Sequence, residues 1–182
     1  MTEATGLAAA RRVADAVLYE GYLLYPCRAS SAKNQVRWQF GVLSPEGAAA
    51  AGVGEAAQRA AWLLLRPAAD ARIDLHVRFL QVQARTVEAA AVGGFAPVAG
   101  LRVGDTDWIP WSEAVECEVV VEGLTAADLL AGGSFPIEVA GGEDLEVLSG
   151  PGGTPVGRLV RRRQPLTAEL TVRATDVGGD LR

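Results

Sequence analysis

Between Leu7 and about Leu24 the apolar positions Val13, Ala14, Val17, Leu18 and then Tyr22 fall at three- and four-residue steps, which is the stripe of an amphipathic helix. Arg11, Arg12, Asp15 and Glu20 fall mostly off that stripe. Gly21 weakens the helix and Pro26 disfavours helical geometry at Tyr25, so its end is predicted between Tyr19 and Leu24, with Tyr22–Tyr25 alternatively a short strand. The period then changes to two: Val36, Trp38, Phe40 and Val42 alternate with Gln35, Arg37, Gln39 and Gly41, as in a half-buried strand. Ser44-Pro45-Glu46-Gly47 closes it as a turn. Glu55 to Leu65, rich in Ala, Gln and Arg and followed by Pro67, reads as a second helix.

Beyond residue 70 the pattern is that of strands. Ile73, Leu75, Val77 and Phe79 alternate with polar residues, after which Leu80 and Val82 continue on the other parity. That shift predicts a β-bulge, or a strand buried on both faces, over about Arg72–Arg85, with a possible extension through Val87–Val92 to the break at Gly93-Gly94. Val98, Leu101 and Val103 make a weak strand before Trp108-Ile109-Pro110-Trp111, a compact aromatic corner. Val115, Cys117, Val119 and Val121 share one face of the next strand. Thr125 and Asp128 have capping-box spacing before a short helix stopped by Gly132-Gly133. Phe135–Ala140 is a further strand, Leu145, Val147 and Leu148 pair briefly, and Leu166 to Thr175 alternates most regularly of all.

Many short strands with glycine-rich turns predict an α+β, mainly β fold: an antiparallel β-sandwich or open barrel with an N-terminal helix and one or two short helices. With no internal repeat and no clean linker, residues 1–182 read as a single domain. Residues 1–70 form a helix-strand-helix cap and 71–182 the β-rich body.

Composition narrows the function classes. Hydrophobic residues make up 49% and charged residues 21%, the balance of a folded protein. A formal net charge of −5 argues against a nucleic-acid partner, which needs a cationic surface. No apolar run approaches the ~20 residues of a membrane span, and the start lacks the pattern of a secretory signal. Two cysteines, Cys27 and Cys117, and one histidine, His76, cannot build a four-ligand zinc or iron–sulfur site. Reduced thiols and a cytoplasmic location are expected, with no cofactor and no metal.

Catalytic candidates are few. His76 alternates out of the apolar face of its strand with Asp74 and Arg78, and reads as a solvated strand residue rather than a general base. Gly150, Gly152 and Gly153 lack the Lys-Ser/Thr of a phosphate loop and fit a hairpin. Glu113, Glu116 and Glu118 lie close in sequence, and Glu116 with Glu118 projects from one face of a strand, an ordinary wet face more often than a weak cation site. Arg161-Arg162-Arg163 either docks an acidic partner or, as the commoner case, protects a sheet edge. The densest constellation is Tyr22, Tyr25, Arg28, Lys33, Asn34, Arg37 and Trp38. Arg and aromatic residues on one short segment have the composition of a protein-interaction hot spot, and equally that of a structural end-cap.

The segment 13–43, VADAVLYEGYLLYPCRASSAKNQVRWQFGVL, resembles the opening of an uncharacterised family of actinobacterial and related proteins encoded beside high-affinity, oxygen-tolerant nickel–iron uptake hydrogenases. Ala14 to Ser30, Lys33, Asn34 and Arg37 to Leu43 match that pattern in order and spacing. Leu75–Gln81 and Trp111–Glu116 match more loosely. Cys27 stands where the family carries an aromatic residue. Family members extend beyond the position of Arg182, so the resemblance implies an N-terminal domain, a short paralogue or a trimmed chain.

The resemblance implies a non-catalytic accessory role in maturation or assembly of a nickel–iron hydrogenase, with hydrogenase subunits or other maturation proteins as partners. The partner-binding surface expected is Tyr22, Tyr25, Arg28, Lys33, Asn34, Arg37 and Trp38. The alternative is a small ligand-binding domain or enzyme with a pocket between the Tyr-rich segment and the Trp108–Trp111 corner. A third possibility is a purely structural domain. The oligomeric state is left open.

Overall fold

A computed structural model of the chain describes residues 3–20, 42–48, 50–52 and 56–182. They divide into two compact units, one over residues 1–65 with Arg182, the other over residues 66–181.

In the first unit the predicted N-terminal helix is present as α1, Glu3–Glu20, starting before Leu7; Gly21 and Pro26, expected to end it, lie outside the described residues. Turns follow at residues 46–48 and 50–52, with Ala48 N–H donating to the Pro45 carbonyl and Ala51 N–H to the Gly47 carbonyl. The helix expected over Glu55–Leu65 is not there: residues 56–64 carry no helix. Alanine-rich propensity alone rarely holds a short helix, and Trp62, Leu63 and Leu64 are consecutive, so no helical face would bury all three.

The second unit is mainly β, built from antiparallel pairs and not closed into a barrel. Its organising strand is β1, Ile73–Ala91, a single 19-residue element that joins the predicted strand and its possible extension. Strands β2 (Gly94–Val98), β3 (Leu101–Val103), β4 (Thr106–Trp108) and β5 (Trp111–Leu124) follow. β5 pairs with Ile73–Arg85 of β1, and β2 with Val87–Ala91. After the short helix α2, Ala126–Ala131, come β6 (Gly133–Val139), β7 (Gly142–Ser149), β8 (Pro155–Arg163) and β9 (Leu166–Val172). β8 lies between β1 and β7. A small hairpin of β10 (Asp176–Val177) and β11 (Asp180–Leu181) completes the unit.

Strands β6 to β9 are one long hairpin broken in its middle. Val139 faces Leu166 in β6–β9 and Gly142 faces Arg163 in β7–β8, so the register is kept across the two residues on each strand that separate them. Its turn is the 3₁₀ segment Pro151–Gly153, where Gly152 and Gly153 adopt φ of +76° and +79°, conformations open to glycine. The upper half joins β1. The lower half, β6 with β9, forms its own two-stranded sheet, so the most regular alternation in the sequence, in β9, serves this pair and not the main sheet.

An apolar cluster sits on one face of the β1–β8–β7 sheet, while Val160, on the other face of β8, is fully buried as well. Val87 and Leu159 are fully buried, Leu148 nearly so, and Val98, Leu101, Val103 and Trp108 pack over them from β2 and the β3–β4 hairpin. Each such aliphatic side chain contributes about 1.5–3 kcal/mol by burial. Gly157 is required here: a Cβ at that position would overlap the Leu101 side chain and the Glu88 carbonyl oxygen.

The register of β1 corrects the predicted bulge. Pairing with β5 is regular from Leu75 to Arg85, and the irregularity lies between Ile73 and Leu75. The parity set by Leu75, Val77 and Phe79 therefore continues through Gln81, Gln83 and Arg85 to Val87. Gln81 and Gln83 are 4% and 6% exposed, while Val82, on the other face, is 66% exposed. The two glutamines tolerate burial because their amides are hydrogen-bonded.

Candidate functional site

The expected partner-binding residues Tyr22, Tyr25, Arg28, Lys33, Asn34, Arg37 and Trp38 lie outside the described residues, as do Cys27 and all of the strand predicted from Val36 to Val42 except Val42 itself, which carries no strand. What the structure does describe is a polar network on the second unit's sheet, a set of ion pairs on the opposite face, and an exposed apolar series in the first unit.

The network is built by three adjacent strands that bring same-face residues into rows. Glu113 of β5 faces Gln83 of β1, which faces Arg163 of β8; one row on, Trp111, Arg85 and Arg161 are aligned. Glu113 accepts from Arg85 Nη1 at 2.7 Å, from Gln83 Nε2 at 2.8 Å and from Arg161 Nε at 2.9 Å. Arg161 also donates to Glu146 at 2.7 Å, and Arg163 to Asp144 at 2.6 Å and to the side-chain amide oxygen Oε1 of Gln83. Arg85 is held further by the Ile109 carbonyl oxygen, at 3.1 Å from Nη2, and lies over the Trp108 ring.

Burial pushes the Glu113 carboxyl upward, but hydrogen bonds from Gln83 and Arg161 and the charges of Arg161 and Arg85 outweigh it, and the net shift is downward. Its bond to Glu146 comes first in holding Arg161 above the ordinary guanidinium value, with Glu113 adding to it. A carboxylate so firmly ionised is a poor general acid, and its arginines are engaged by carboxylates of the chain itself. The arrangement knits β5, β1, β8 and β7 together. Sequence reasoning missed it because Gln81, Gln83 and Arg85 were placed off the apolar parity; the signal was available in the unbroken period of two from Leu75 to Val87.

Arg161-Arg162-Arg163 does not protect an edge. β8 is an interior strand, and the three guanidiniums pair with Glu146, Glu143 and Asp144 of β7. Glu113 lies on the opposite face of β5 from Glu116 and Glu118, so the three glutamates do not converge. Glu116 pairs with Arg78, and Glu118 with His76 Nδ1 at 2.7 Å. His76 and Glu118 thus form the base-and-orienter half of a triad, but Cys117 is on the other face of β5, where its thiol meets Gln81. Among the described residues no group of three or more His, Cys, Asp or Glu side chains is placed to hold a metal ion.

Of the second expectation, a pocket beside the Trp108–Trp111 corner, the structure describes only the Trp side: Trp108 packs on the core and over Arg85. A shallow concavity of about 270 Å³ lies elsewhere, between the end of α2 and Phe135 and Val172 of the lower hairpin. The capping box predicted from Thr125 and Asp128 is formed there, with Thr125 N–H to Asp128 Oδ2 at 2.8 Å and Asp128 N–H to Thr125 Oγ1 at 3.1 Å.

In the first unit the helical stripe and the apolar run before residue 66 are exposed. Val13 is 66%, Val17 65% and Trp62 74% exposed, with Leu63 and Leu64 close behind. No helix among the described residues is long and apolar enough to cross a membrane. No family model, curated protein or solved structure matches this chain.

Proposed function

We propose that this chain is a non-catalytic accessory protein whose first unit binds another protein during maturation or assembly of a nickel–iron hydrogenase in the cytoplasm. The observation that carries the binding role is the exposure of Val13, Val17, Trp62, Leu63 and Leu64 in one unit. Single exposed apolar residues are ordinary, but a large aromatic and several aliphatic side chains left in water within one unit are typical of interaction surfaces. Trp at such a place is a frequent energetic anchor. The second unit, with its own core and satisfied polar network, supplies the scaffold.

The partner's identity rests on the resemblance of residues 14–43 to the hydrogenase-associated family, on which Tyr22, Tyr25, Arg28, Lys33, Asn34, Arg37 and Trp38 are the proposed partner-binding residues. The test is hydrogen uptake by a host strain lacking this chain. Uptake lost in that strain, restored by the wild-type chain and not by one carrying Arg28→Glu, Arg37→Glu and Trp62→Ser, is the expected result. Full uptake in the strain lacking the chain overturns the hydrogenase role.

A further inference from the structure

We propose that the lower half of the long hairpin, β6 with β9, is a flap that opens as its own cooperative unit, with Gln81 as its latch. The break in the hairpin coincides with the row at which β8 leaves β1. Continuing the β1–β8 register beyond Gln83 and Arg163 sets Gln81 opposite Pro165, which has no N–H to extend the ladder. On the other strand Gly141 passes so close that a Cβ would come within 2.7 Å of the Arg163 carbonyl oxygen and 2.9 Å of the Pro165 ring. Main-chain pairing stops on both strands at this point.

The Gln81 side chain takes over. Its Nε2 donates to the Gln164 carbonyl at 2.8 Å and to the Ala140 carbonyl at 3.3 Å, one on each side of the break, from a residue that is 4% exposed. A single side-chain amide thus replaces the ladder between β1 and the lower hairpin. The far end is tied by Ala174 N–H to the Leu129 carbonyl at 2.8 Å. Opening between these ties would bare Phe135, Ile137 and Leu170, which share one face of the flap. Local opening of such a weakly joined element is how folded proteins reach low-lying alternative states.

Hydrogen–deuterium exchange on the full chain tests this, comparing wild type, Gln81→Met and Thr86→Val, the last removing a bond between β1 and the Val160 carbonyl of β8. In the wild type, amides of Gly133–Val139 and Leu166–Val172 should share one exchange rate, faster than that of Leu145–Leu148 and Val156–Arg163. Gln81→Met should speed the flap's exchange roughly tenfold while the upper half changes little, as loss of a buried donor implies. Thr86→Val should leave the flap as it was. Equal wild-type rates in the two halves, uniform acceleration by Gln81→Met, or an equal effect of Thr86→Val on the flap would each overturn the proposal, and the wild-type comparison decides even where a variant fails to fold.

Discussion

Replacing Glu113 by Gln removes one negative charge without changing the shape of the side chain, and it does so where two guanidiniums converge. Arg85 and Arg161 approach Glu113 at 2.7 and 2.9 Å with only 18% and 21% of their own side chains exposed. Removing one partner of a buried pair costs about 3–5 kcal/mol, because the remaining charge is left without compensation. Here the groups keep a fifth of their surface in water, Arg161 retains Glu146, and Arg85 retains the Ile109 carbonyl, so the loss is set lower, at about 2–3 kcal/mol. For a unit of this size that lowers the melting temperature by about 10 °C.

Urea unfolding followed by tryptophan fluorescence is the assay, since Trp108 lies against Arg85 and reports on the site. The same carboxylate gives a pH dependence with a fixed sign. Because the folded state lowers its pKa, the stabilisation is complete above the ordinary carboxylate range and disappears as pH falls below that range through the folded value. The stability difference between wild type and Glu113→Gln should therefore shrink on acidification. A Glu113→Gln cost below about 0.5 kcal/mol at neutral pH, the range of an ordinary surface substitution, would refute the reading of this network as the tie between strands.

Three further outcomes follow from particular positions. Gly157→Ala should destabilise by about 1–3 kcal/mol or more in thermal melts, because the added methyl meets Leu101 and the Glu88 carbonyl. Val82→Ser should cost no more than about 0.5 kcal/mol in urea titrations despite the valine's place in a strand, since that side chain already faces water. Thr125→Ala should cost about 1 kcal/mol in the same titrations and lower the helical signal of α2, because the hydroxyl that accepts from Asp128 N–H and donates to Asp128 Oδ2 is lost.

Much of the fold was legible in local pattern. The N-terminal helix, the strand along β1, the capping box and the mainly β, antiparallel character follow from period, caps and glycine-rich turns. What was not legible depends on distant partners. Gln81 and Gln83 looked like solvent-facing residues because nothing nearby in sequence announces Ala140, Gln164 or Glu113 as their companions. The arginine run looked like edge protection because sequence does not say that β7 lies outside β8 and carries the matching acids. The Glu55–Leu65 helix was overpredicted from propensity without a burial face to support it. The continuous hairpin from Gly133 to Val172 is visible only once the register is known, since Pro165 and Gly141 read as ordinary loop residues.

The binding role is tested most directly by affinity capture of the tagged chain from its native host under hydrogenase-inducing conditions, with mass spectrometry of what is retained. The account predicts recovery of hydrogenase subunits or their maturation proteins with the wild-type chain, and their loss when Arg28 and Arg37 are changed to Glu and Trp62 to Ser in a protein that stays folded. Capture of the folded wild-type chain without any hydrogenase-related protein, or retention of the same partners by the triple variant, would contradict it.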